Sequence, residues 1–198
     1  MNADIYIVRH GNTFDPGDTL LRVGARTDLA LSVSGCEQAD RLGRHFRERD
    51  IVFSSIRTGP LRRTRETTDR IGAYQRSLAD IRIEPFLKEI DYGPDEGVAE
   101  SEVLARIGPA GLQAWEEAGR PPPGWIVDPP ALEASWRSLF EHLQSSPGAH
   151  LVVTSNGIAR FARSAIGDSG PGKLSTGGYG VIRLSAGGPE ALCWNERP

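Results

Sequence analysis

The chain is poor in cysteine and has no long hydrophobic run. Only Cys36 and Cys193 occur among its 198 residues. Two are too few for a disulfide scaffold, which predicts free thiols and a reducing, cytoplasmic setting. No apolar stretch approaches the roughly 20 residues that a bilayer-spanning helix needs, so no membrane partner is expected. Met1-Asn2-Ala3-Asp4 lacks the basic start and apolar core of a secretory signal and leads directly into a strand-like run. An excess of one charge is also missing. With 23 basic and 26 acidic residues the formal net charge is −3, which argues against nucleic acid as a partner, because phosphate-backbone binding normally shows as a basic domain. No Cys/His spacing suggests zinc, and Asp15, Asp18 and Asp28 are too scattered for a calcium loop. Neither a metal nor an organic cofactor is therefore expected. There is no internal repeat and no low-complexity tail. What remains, 38% hydrophobic and 25% charged residues, is ordinary for a soluble globular protein. The length suits one domain, residues 1–198, able to bury a core without disulfides.

Ile5-Tyr6-Ile7-Val8 is an apolar, β-branched and aromatic run, the pattern of a strand buried on both faces. A loop rich in Gly, Asp and Arg follows to about residue 30. Ser32 and Ser34 are alternative N-caps for a helix over about 35–48, with Cys36, Ala39, Gly43 and Phe46 on its inner face. Ile51-Val52-Phe53 reads as a second strand that ends at Ser54-Ser55. Pro60 suits the first turn of a helix to about residue 73. Ile81–Ile83 reads as a further strand, and 89–97 as loop. Residues of about 98–130 read as a helical insertion: two pieces, 101–107 and 112–118, are separated by Gly108-Pro109. They are followed by a stiff Arg120-Pro121-Pro122-Pro123-Gly124-Trp125 linker. Leu132, Trp136, Leu139, Phe140 and Leu143 form one helical stripe within 131–144. His150–Thr154 is a third buried-type strand, followed by a polar turn and a helix over about 157–166. Residues 181–184 and 191–194 read as a closing hairpin. Strands alternating with helices predict a three-layer α/β/α sandwich on a mainly parallel sheet.

Three apolar strands each stop at a polar cluster: Arg9-His10-Gly11, Ser54-Ser55 and Thr154-Ser155-Asn156-Gly157. Open α/β sheets bind ligands beyond the carboxyl ends of their strands, so the clusters are expected on one rim. A neutral imidazole at His10 is able to attack phosphorus, and the neighbouring Arg9 would favour that neutral form. The alternative is a hydrogen-bonded histidine that merely closes a strand. In Pro60-Leu61-Arg62-Arg63-Thr64-Arg65 two arginines are expected on a solvated face and one turned inward, where its forked donors suit phosphate oxygens. Gly167-Asp168-Ser169-Gly170-Pro171-Gly172-Lys173 approximates a P-loop. Leu174 follows where a magnesium-binding hydroxyl is needed, however, and the segment follows a helix, so it reads as a surface turn.

Arg9-His10-Gly11-Asn12-Thr13, Asp28-Leu29-Ala30-Leu31-Ser32 with Gly35 and Gln38, Ser54-Ser55, Pro60-Leu61-Arg62-Arg63, and Leu87-Lys88-Glu89-Ile90-Asp91-Tyr92-Gly93 with Glu96-Gly97 follow in order. This succession resembles the phosphoglycerate-mutase-like branch of the histidine phosphatase superfamily. It is close over the first half of the chain and returns at 151–160. The resemblance implies a phosphohistidine on His10, phosphate binding by Arg9 and Arg63, and a proton donor at Glu89. A carboxylic acid beside bound phosphate tends to keep its proton, which suits that last role. Asn12, Ser155 and Asn156 complete the expected phosphate-binding set.

Two departures bear on activity. Ser155 stands where the family usually carries a second histidine in a Thr-His-Gly-Gly type turn. Loss of one preorganised donor in such a site typically costs about 2.7–4 kcal/mol, on the order of 100- to 1000-fold in rate. Ser155 read purely structurally is a helix N-cap. The other departure is Pro16, where mutase-type members often carry asparagine. The resemblance thus implies a phosphatase acting on a small phosphorylated metabolite, or binding inorganic phosphate. A catalytically weak phosphate-ligand binding or regulatory protein is the alternative, and a mutase a more distant one. Tyr92, Trp125 and the prolines of the insertion are the candidates for substrate selection, with packing as the alternative for Trp125.

Overall fold

The computed structural model describes residues 2–76 and 80–198. Its six strands are β1 (Ala3–Arg9), β2 (Phe53–Thr58), β3 (Ile81–Ile83), β4 (Gly148–Thr154), β5 (Tyr179–Ser185) and β6 (Gly188–Glu196). They form one sheet in the order β3-β2-β4-β1-β5-β6. The four strands from β3 to β1 run parallel, and the β5-β6 hairpin adds antiparallel to β1. The helices are α1 (Val33–Glu48), α2 (Arg62–Gly72), α3 (Glu100–Ala118), α4 (Pro129–Gln144) and α5 (Asn156–Ala165). Among the described residues no helix is long and apolar enough to cross a membrane.

Side-chain alternation along the central strands assigns the layers. Ile5 and Ile7 of β1 and Val152 of β4 face a core shared with Trp115, Trp136, Phe140 and Phe161, on the side of α3, α4 and α5. Their neighbours Tyr6, Val8, Leu151 and Val153 face a second core with Leu42, Phe46 and Ile71, on the side of α1 and α2. The expected three-layer sandwich on a mainly parallel sheet is the fold observed.

Several details differ from the sequence reading. β2 begins at Phe53 and continues to Thr58, so Ser54-Ser55 lies inside the strand near its entry. Both hydroxyls meet His150 at the start of β4, Ser55 Oγ at 2.8 Å. That is the rim away from His10, and the group that leaves β2 on the functional rim is Thr58-Gly59. A run of two serines broke the apolar pattern without ending the ladder. Leu42, rather than Cys36, completes the buried face of α1. Helix α3 is continuous apart from Gly108, whose φ of 76° and ψ of 160° kink it at the Gly-Pro step. The proline linker also turns at 123–124, where the Trp125 N–H donates to the Pro122 carbonyl.

Trp136 of α4 ties this layer to the functional rim. It is fully buried and its Nε1–H donates to the Ile158 carbonyl of α5 at 3.0 Å. Trp136→Ala removes both packing and that bond, and is expected to lower stability by about 3–5 kcal/mol in urea unfolding.

Candidate active site

β1 and β4 pair in parallel with Arg9 opposite Thr154. The chain therefore leaves the sheet at His10 and at Ser155 side by side, and the His10 N–H donates to the Thr154 carbonyl at 3.0 Å. The next turn packs against the start of α1 backbone to backbone. A Cβ on Gly11 would overlap the Gly35 carbonyl, and one on Gly35 would overlap that of Asn12, so both positions require glycine.

Two contacts define the state of the His10 ring. Nδ1 lies 2.7 Å from the Gly11 carbonyl, which only accepts, so Nδ1 carries the hydrogen. Nε2 receives the Nε–H of Arg63 at 3.2 Å, so Nε2 holds the lone pair. Burial first, then the charges of Arg63 and Arg9, push the imidazole pKa well below its ordinary 6.5, against the opposing pull of the Gly11 carbonyl. The ring is neutral, with its basic nitrogen marked by a guanidinium.

Arg63 is the one fully buried arginine of its run, while Arg62 and Arg65 are exposed. Its Nη1 donates to the Thr27 carbonyl at 2.7 Å and its Nη2 to that of Gly24 at 3.1 Å. The side chain thus fastens the 13–31 loop over the site. Thr67, one turn along α2, accepts the Gly11 N–H at 3.2 Å. Arg9 is held by one bond, Nη1 to the Leu174 carbonyl at 2.8 Å, and its buried Nε has no partner.

Glu89 is buried and bonds only backbone here. Oε1 accepts from Ile90 N–H at 2.9 Å and Oε2 from Gly157 N–H at 3.3 Å. Gly157 is the second residue of α5, so the carboxylate caps that helix from outside and lies at the positive end of its dipole. A side chain on Gly157 would collide with Glu89. Ser155 occupies the N-cap backbone position, but its hydroxyl makes no capping bond; Oγ is fully buried and unpartnered among the described residues. Ser155 is thus the N-cap by position, as the purely structural reading has it, while Glu89 supplies the side-chain bond that its own hydroxyl does not make.

His10, Arg9, Glu89, Asn12 and Asn156 all line one cavity of about 600 Å³. The Asn156 carboxamide oxygen accepts the Leu174 N–H at 2.9 Å, which leaves its NH₂ as a donor. The Asn12 amide donates to Ser34 Oγ at 3.1 Å. Tyr92 lines the cavity, and burial pushes its hydroxyl beyond its ordinary range. Trp125 does not line it: the indole packs edge-on against Tyr92 and Trp115 and donates to Asp95 at 2.6 Å. Sequence reasoning missed Arg22, Glu100, Glu116 and Lys173, which also line the cavity. They come from three separate stretches with no shared periodicity. It missed Arg160 as well, which lies buried over the Trp115 ring at 4.1 Å with Nε and Nη2 unpartnered.

A family model for the histidine phosphatase superfamily (branch 1) matches residues 5–197. The chain is 26% identical over 151 residues to a 2,3-bisphosphoglycerate-dependent phosphoglycerate mutase of Leifsonia xyli subsp. xyli, a match covering 76% of this chain and 58% of that relative. The chain thus spans less than two thirds of the curated relative's length. Among solved structures, mycobacterial hydrolase 1 superposes with a TM-score of 0.81 at 19% identity, covering 100% of both chains. Mycobacterial glucosyl-3-phosphoglycerate phosphatase gives 0.78 at 20% identity, covering 98% of this chain and 99% of that one. Phosphoserine phosphatase of Entamoeba histolytica gives 0.74 at 18%, covering 98% and 97%. At these identities the structural likeness speaks for the fold, and the family match speaks for descent: the chain belongs to branch 1 of the histidine phosphatase superfamily.

Proposed function

We propose that the protein is a phosphatase that hydrolyses a small phosphorylated metabolite through a phosphohistidine on His10. The observation that carries this reading is the neutral imidazole whose Nε2 lone pair meets Arg63, on a cavity shared with Arg9 and Glu89. The structural relatives named as phosphatases of glucosyl-3-phosphoglycerate and of phosphoserine agree with it.

In this mechanism the Arg63 Nε–H leaves Nε2 for a phosphoryl oxygen, and the freed Nε2 lone pair forms a bond to phosphorus while the bond from phosphorus to the leaving oxygen breaks. The Nδ1–H, held on the Gly11 carbonyl, takes up part of the positive charge that develops on the ring. Arg9 and Arg63 grip the phosphoryl oxygens, and the unpartnered Arg9 Nε gains an acceptor. Glu89 passes a proton to the leaving alcohol. Water then attacks phosphorus and returns a proton to Glu89. The N–P bond breaks, and phosphate departs from a neutral histidine. Ser155 Oγ and the Asn156 amide supply neutral donors at the remaining corner.

Ser155 favours a second reading, a phosphate-ligand binding or regulatory protein of weak activity, because the superfamily's usual second histidine is absent there. Turnover of an aryl phosphate separates the two. Hydrolysis abolished by His10→Ala is the expected result; tight phosphate binding without turnover above background would replace the enzyme with the binding protein.

Nitrogen NMR of His10 is expected to show the Nδ1–H neutral tautomer with no titration as pH falls through 6.5. The unfolded chain takes up a proton at this position below 6.5 while the folded state refuses it. Folding stability therefore falls as pH drops below that value, and His10→Gln is expected to flatten this slope in denaturant unfolding. Glu89→Gln is expected to lower kcat/KM for alkyl phosphates by about 10²–10⁴-fold. It should cost far less with p-nitrophenyl phosphate, whose leaving group needs no proton.

A further inference from the structure

Resting on the phosphatase reading, we propose that the outer pocket selects monoesters whose leaving alcohol has an apolar body and no second anionic group, a selection enforced by the Arg22–Glu100 and Lys173–Glu116 ion pairs. The cavity of about 600 Å³ is far larger than a phosphoryl group requires. Beyond Arg9, its lining offers two further cations among the described residues, and each is already held by a carboxylate. Arg22 Nη2 lies 2.6 Å from Glu100 Oε2. Lys173 Nζ lies 3.0 and 2.9 Å from the two oxygens of Glu116.

The Arg22–Glu100 pair is preformed by the backbone around it. Arg22 N–H donates to the Val98 carbonyl at 2.8 Å, Gly97 N–H to the Arg22 carbonyl at 2.8 Å, and Glu100 N–H to the Leu20 carbonyl at 2.9 Å. The guanidinium sits 5.1 Å from the centre of the Tyr92 ring and 5.2 Å from that of Trp125. Glu100 opens α3, where the helix dipole favours its negative charge, while burial raises its pKa above the ordinary carboxylate value and the Arg22 charge offsets that only in part. A third carboxylate on the wall, Asp15, accepts the Val33 and Ser34 N–H groups at 3.1 and 2.9 Å. Three carboxylates against two cations leave this outer wall with one net negative charge. Only Nη2 of Arg22 is bonded to Glu100 and its buried Nε has no partner among the described residues, so a second anion on the substrate would meet a guanidinium whose charge Glu100 already offsets rather than a free cation. Arg160 offers no substitute, because it lies outside the lining and against the Trp115 ring.

The uncharged part of the wall is apolar. Phe14, Leu20, Leu21 and Val23 line the cavity while keeping part of their surface exposed, and Trp115 faces them across it. A ring or chain on the leaving group removes that surface from water.

The test compares benzyl phosphate with 4-carboxybenzyl phosphate, whose leaving alcohols differ chiefly by one remote charge. Their phosphonate analogues, measured by calorimetry, read the same selectivity as binding without turnover. The neutral compound is expected to be favoured about tenfold or more in kcat/KM and in affinity. Glu100→Gln, which frees Arg22, is expected to bring that ratio close to one. Glu116→Gln is expected to shift it less, since its pair is half exposed. The ratio is the readout, so a general loss of activity does not imitate the effect. Equal use of both compounds by the natural protein, or a ratio unmoved by Glu100→Gln, overturns the proposal. Absent turnover with discrimination intact in the phosphonates would overturn the phosphatase reading and leave the selectivity standing.

Discussion

The hydrogen bond from Arg63 Nε to His10 Nε2 is the contact around which the rim is assembled. It is possible only if the imidazole is neutral and its proton is on the other nitrogen, which the Gly11 carbonyl enforces. All three bonded partners of this buried guanidinium are neutral: one imidazole nitrogen and the carbonyls of Gly24 and Thr27. Burial without a bonded anion is costly for a cation, and the nearby charges of Glu89, Asp28 and Glu96 offset that cost only in part. The same arrangement that keeps His10 Nε2 unprotonated also anchors the loop that walls the cavity.

The start of α5 plays the complementary part. An N-cap serine would ordinarily satisfy the helix amides with its own hydroxyl. Here a remote carboxylate does so, brought from the 84–97 segment to the Gly157 N–H. This couples Glu89 to the turn after β4 that bears Ser155, and it leaves the serine hydroxyl buried without a partner among the described residues. Buried donors without partners are rare in folded proteins and call for a ligand or water. Ser155 Oγ and Arg9 Nε are both of this kind.

Much of this was readable along the chain. Continuous apolar, β-branched runs placed β1 and β4, and the rule that sites gather at strand ends placed His10. That one arginine of the helical run would face inward was legible from helix geometry, and only the resemblance singled out Arg63. The error at Ser54-Ser55 has a physical source: polarity was taken as a strand terminus, whereas hydroxyls bonded to a buried His150 are tolerated within a ladder. Trp125 and Arg160 show the reverse failure. An indole and a guanidinium read alike in sequence whether they face a ligand or pack under one, and contacts made by α3 and α5 settle which.

The sequence by itself determined the layers, the order of the elements and the residue types gathered at the rim, because hydrophobic period and backbone chemistry act over a few neighbouring residues. Tertiary structure alone decided the tautomer of His10, the capping of α5 by Glu89 and the pairing of Arg22 with Glu100. The last two join residues more than fifty positions apart, and the first needs Arg63 across the fold as well as the adjacent Gly11 carbonyl. Their energies depend on distance and burial, which no local pattern encodes.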